Sequence, residues 1–66
     1  MRRPIVGISS YAENARWGQA WDMPASLLPQ AYVDSVAGAG AVPVLLPPVE
    51  GAAEAVRRLD ALLLPA

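Results

Sequence analysis

The sequence predicts an α/β fold, the first β-α-β-α-β portion of a doubly wound, flavodoxin-like parallel sheet, left incomplete. Three observations predict it. Short apolar runs occur at Pro4-Ile5-Val6-Gly7-Ile8-Ser9, Val42-Pro43-Val44-Leu45-Leu46 and Ala61-Leu62-Leu63-Leu64, continuous rather than alternating, as in strands covered on both faces. Helically spaced apolar residues fill the intervals, and alternating strands and helices signal right-handed crossovers in a parallel sheet. Hydrophobic residues make up 55% of the chain and mean hydropathy is +0.32, which fits a piece of a larger core and excludes a disordered chain.

The first strand covers Pro4 to Ser9. The segment from Ser10 to Leu27 shows no sustained period and reads as a long loop. A helix follows, with Pro29 in its first turn, where a missing N–H is harmless. Leu28, Tyr32, Val36 and Ala39 stack on one face of it, and Val33 and Ala37 widen the stripe. Gly38-Ala39-Gly40 ends it, since a glycine can take the left-handed cap conformation. The second strand, Val42 to Leu46, is closed by Pro47-Pro48, and Pro43, which cannot donate to a ladder, belongs at the start of the strand or on an open edge, the edge being the expectation. A second helix is expected over Gly51 to Leu59, with Ala52, Val56 and Leu59 inward and Glu54 within reach of Arg57 and Arg58. Ala61 to Leu64 returns as the third strand. Residues 1–66 form a single partial domain, without repeats or an internal linker.

Size and composition narrow the function. A 6.9 kDa chain buries at most about 60% of its surface, and without Cys or His it has neither a disulfide nor a zinc site to reinforce a small core. A net charge of −1 gives no electrostatic footprint for nucleic acid. The longest uncharged run, Ser35 to Val49, contains Pro43, Pro47 and Pro48 and is shorter than the roughly 20 residues of a membrane span. Met1-Arg2-Arg3 imitates the start of a signal peptide, but Pro4 and Ser9-Ser10 cut the apolar stretch short. A cytoplasmic location, with neither membrane nor nucleic acid as partner, is the expectation.

The chemistry of the residues present is sparse. Nucleophilic catalysis needs a nucleophile beside a base, and Cys, His and Lys are all missing. Ser9, Ser10, Ser26 and Ser35 read as turn, cap and surface residues. No metal site and no cofactor is expected, because the scattered carboxylates lack ligand spacing and Gly38-Ala39-Gly40 lies between helix and strand, the reverse of a phosphate loop. The segment from Ser10 to Leu27 stands apart. It far exceeds the roughly 2 to 6 residues of an ordinary link and leaves the carboxyl end of a strand, where open α/β sheets bind ligands. Tyr11, Arg16, Trp17 and Trp21 are therefore candidates for a substrate-facing wall, with Arg16 on a carboxylate and a Trp on an aliphatic chain. The alternative is that Trp17 and Trp21 fold back over the first helix and close the edge of the core.

Four blocks carry a family resemblance: Arg3 to Tyr11, Leu27-Leu28-Pro29-Gln30-Ala31-Tyr32-Val33, Gly40-Ala41-Val42-Pro43-Val44-Leu45-Leu46-Pro47 and Leu59-Asp60-Ala61-Leu62-Leu63-Leu64-Pro65. In order and spacing they resemble the N-terminal portion of gamma-glutamyl-gamma-aminobutyrate hydrolases, within the class I glutamine amidotransferase-like superfamily. The resemblance implies hydrolysis of a small gamma-glutamyl amide by a cysteine thiolate, assisted by a histidine and a glutamate, through a glutamyl-enzyme. None of these three has a counterpart here, so no catalytic residue is expected in this chain. Ala41 replaces a glycine often found after Gly40. Family members continue from the third strand into a glycine-rich oxyanion loop, so the 66-residue chain is expected to be inactive. Two other readings are the first lobe of a sugar-sensing repressor or periplasmic binding protein, and a truncated interaction module. Self-association through the uncovered edge of the third strand is a further expectation.

Overall fold

The structure, a computed structural model, describes residues 2–65. Seven elements follow one another: β1 (Ile5–Ser9), β2 (Tyr11–Trp17), β3 (Trp21–Leu27), α1 (Gln30–Gly38), β4 (Val42–Leu46), α2 (Ala52–Val56) and β5 (Ala61–Leu63). β1, β4 and β5 form the expected parallel sheet in the order β4-β1-β5. From β1 the chain crosses to β4 on one side, then returns past β1 to β5 on the other. With right-handed crossovers, that reversal sends the two helices to opposite faces and makes β1 the topological switch point.

Register shows which side chains share a face. Ile8 lies beside Leu45 and Leu63, whereas Gly7 lies between Val44 and Leu62. Ile8 is fully buried and Leu46 nearly so. Gly7 is the notch of the opposite face: a Cβ there would collide with Leu59 and meet Leu46 Cδ1 at 3.1 Å. Leu59, just beyond α2, packs against the sheet because position 7 has no side chain. At the other end Asp60 clamps two strands, its Oδ2 accepting from the Ile5 N–H at 2.7 Å while its own N–H donates to the Ile5 carbonyl at 2.9 Å.

β4 is an edge strand, as Pro43 predicts. The Val42 N–H donates inward to the Pro4 carbonyl at 2.9 Å. Because backbone direction alternates along a strand, Pro43 sits where an N–H would face outward, and no ladder bond is lost.

α1 starts after Pro29 and packs on β4 through a face that half-buries Tyr32, Val33 and Val36. Gly40, at φ 92°, makes the left-handed exit. α2 is shorter than the sequence suggests, Ala52–Val56 instead of Gly51 to Leu59, because Arg57 and Arg58 already turn toward the sheet. Glu54 meets Arg57 at 4.0 Å with both side chains exposed, and no such pair with Arg58 occurs among the described residues. β5 ends at Leu63, one residue early.

The largest correction concerns Ser10 to Leu27, which is a β-hairpin and not a loop. β2 and β3 pair antiparallel from Tyr11↔Leu27 to Trp17↔Trp21, joined by Gly18-Gln19-Ala20 with Gly18 at φ 64°. Directly paired residues share a face, so Tyr11, Ala15, Trp17, Trp21, Met23, Ala25 and Leu27 make one largely apolar side. Ala12, Asn14, Arg16, Asp22, Pro24 and Ser26 make the other. Glu13 interrupts the apolar pattern and Pro24 argues against a strand, but both strands of a two-stranded ribbon are edges, where proline is tolerated. The hairpin makes no more than marginal contact with the other elements. Among the described residues no helix is long and apolar enough to cross a membrane.

Candidate functional site

The carboxyl ends of the parallel strands open onto one cleft. Ser9, Leu46 and Leu62 line its sheet side, and Val49, Ala52 and Val56 its helix side, around about 410 Å³. The lining is mostly apolar. It lies beside the switch point, where the diverging crossovers of an open α/β sheet leave room for a ligand.

Ser10 stands at the exit of β1. It is only 8% exposed. Its N–H donates to the Leu46 carbonyl at 3.0 Å, continuing the ladder, and its hydroxyl donates to the same oxygen at 2.7 Å. Unlike the turn or surface serine expected from sequence, it is a buried joint, the single residue between the end of β1 and the start of the hairpin.

The four residues proposed for a substrate wall divide along the hairpin. Tyr11 is at its base, half-buried and next in sequence to Ser10 of the cleft, whose lining includes none of the four residues. Trp17 and Trp21 are at its tip, stacked with ring centroids 5.5 Å apart and planes 8° from parallel. Each is 48% exposed, so the rings cover each other and not α1. Six residues of strand at roughly 3.3 Å per residue put the tip roughly 20 Å from Tyr11. Arg16 lies on the reverse face, its guanidinium 3.0 Å from Asp22.

Asp22 is braced from two sides, and sequence reading missed it. Its Oδ1 accepts from Asn14 Nδ2 and its Oδ2 from Arg16. These bonds, that from Asn14 first, hold its carboxyl below the ordinary 3.8, because both donors favour the charged form. The signal was the cross-strand register, which a loop reading conceals. Among the described residues no three His, Cys, Asp or Glu gather where a metal ion could be held.

In a comparison with protein families, the Peptidase C26 family matches residues 4–66. The chain belongs to this family. Peptidase C26 proteins are class I glutamine amidotransferase-like, in agreement with the β4-β1-β5 topology. A Mycobacterium tuberculosis (strain ATCC 25618 / H37Rv) protein, "Putative glutamine amidotransferase Rv2859c", is 50% identical over 46 residues, which are 70% of this chain and 15% of that protein. The match thus spans about 15% of the length of this curated relative. No solved structure matches the chain.

Proposed function

We propose that these residues build the opening lobe of a cytoplasmic Peptidase C26 hydrolase of gamma-glutamyl amide bonds, gamma-glutamyl-gamma-aminobutyrate among them. The observation that supports this reading is the cleft at the β1 switch point in a chain of this family. The lobe supplies architecture while the nucleophile and its base come from other residues, since the 66-residue chain has neither Cys nor His. Tyr11 borders the substrate, and the hairpin above it forms a wall. Arg16 engages a substrate carboxylate only by leaving Asp22.

The chain alone is inactive on this account. Removing one oxyanion donor costs about 10² to 10³ in rate, and here the nucleophile is missing as well. The test is glutamate release from gamma-glutamyl-gamma-aminobutyrate, by the purified chain and by a longer polypeptide that carries it together with a cysteine nucleophile. The expected result is turnover by the longer protein and none by the chain above a mock preparation. Turnover by the chain overturns its inactivity. A longer protein that releases ammonia from glutamine but spares the gamma-glutamyl amide overturns the substrate.

A further inference from the structure

We propose that Ser10 is a positioning residue that sets the hairpin over the cleft. The inference rests on the gamma-glutamyl hydrolase reading and deepens it by naming what holds the wall in place. Three observations carry it. Ser10 is the one residue between the end of β1 and the start of β2, so the angle between ribbon and sheet is decided at its backbone. It is nine-tenths buried at the switch point. Its hydroxyl, at 2.7 Å, doubles a bond that its N–H already makes to the Leu46 carbonyl.

The doubled bond separates positioning from folding. Without the hydroxyl, the Leu46 carbonyl keeps its ladder donor, so no buried acceptor is orphaned and β1 stays paired with β4. What is lost is the second anchor, which stops the peptide at Ser10 from pivoting. The two strands of the hairpin contact chiefly each other, and the ribbon leaves the sheet at Ser10, so this joint bears directly on its orientation. A wall that touches substrate and transition state alike contributes to KM and not to kcat.

The test compares Ser10→Ala, Ser10→Thr and Ser35→Ala in the longer, active polypeptide. Ser10→Ala should raise KM for gamma-glutamyl-gamma-aminobutyrate about fivefold, the worth of one hydrogen bond, with kcat within about twofold. Ser10→Thr, which keeps the hydroxyl, should restore KM, and Ser35→Ala, at an exposed position on α1 away from the cleft, should leave it unchanged. A second readout needs no turnover. In a Trp17→Phe background of the 66-residue chain Trp21 is the remaining indole, and its nanosecond anisotropy decay reports hairpin wobble. Ser10→Ala should enlarge that wobble and Ser10→Thr should not. Unchanged KM with unchanged wobble overturns the proposal, as does a fall in kcat matching the rise in KM. If the unmutated long protein leaves gamma-glutamyl amides intact, the hydrolase reading fails, and the anisotropy alone decides whether Ser10 orients the hairpin.

Discussion

Gly7 leaves no room for a side chain while Leu59 keeps its place. A methyl group there drives into Leu59 and presses Leu46, and Gly7→Ala should cost about 1 to 3 kcal/mol by overpacking, read as a lower urea midpoint at unchanged slope; an unaltered midpoint would show that Leu59 is free to move aside. Gly18 is constrained by its backbone, with φ 64° and open space around it. Asp22 gives the molecule a local pH dependence. Its carboxyl is held below 3.8 by Asn14 and Arg16, so its contribution is complete above the unfolded pKa and disappears as pH falls through the lower, folded one. The near-ultraviolet circular dichroism of the Trp17–Trp21 stack should therefore hold steady from pH 7 to about 5 and decline below pH 3.8; a signal that persists at pH 2, or already fades at pH 6, would separate the stack from the brace. At this scale the sequence was legible where a residue acts through its own backbone. Pro43 announces an edge, and Gly40 a left-handed exit. It was not legible where a role depends on a partner across a register, as for Asp22 and Ser10.

The elements differ in what supports them. β1 is paired on both sides, and its continuous apolar run made it readable without context. The hairpin was hidden because its apolar face is punctuated by Glu13 and its polar face contains Pro24, so neither strand shows clean alternation. A two-stranded ribbon is marginal in water, and the strands of this one contact chiefly each other. Trypsin should accordingly cut after Arg16 faster than an element of the parallel sheet is lost, as followed by hydrogen exchange at Ile8; equal rates would mean that hairpin and sheet open as one unit. β4 protects its outer edge with Pro43. Pro43→Val should create a continuous donor row on that edge and raise aggregation, measured by light scattering at constant concentration. If scattering stays unchanged, association runs through the β5 edge instead, the self-association route proposed from sequence.

At the scale of the molecule, the chain is an opened lobe. Its surface is 5093 Å², against roughly 4,000 Å² for an ideal globule of this mass. Its radius of gyration is 13.2 Å, against about 11 Å for a compact domain of this length. Leu45, Val56, Leu62, Leu63 and Leu64 are each at least 36% exposed, around the parallel β4-β1-β5 sheet. The fold class was readable because strand-helix alternation is visible without tertiary context; no catalytic residue was, because the 66 residues include neither Cys nor His. The central claim is that this lobe frames a gamma-glutamyl site whose nucleophile lies outside the 66 residues. Its most direct test is the mass of the endogenous polypeptide, captured through Trp17 to Asp22 after reaction with a gamma-glutamyl-directed electrophile. The account predicts a product heavier than 6.9 kDa with one adduct, on a cysteine outside these residues; an adduct within residues 1–66 of a 6.9 kDa product would contradict it.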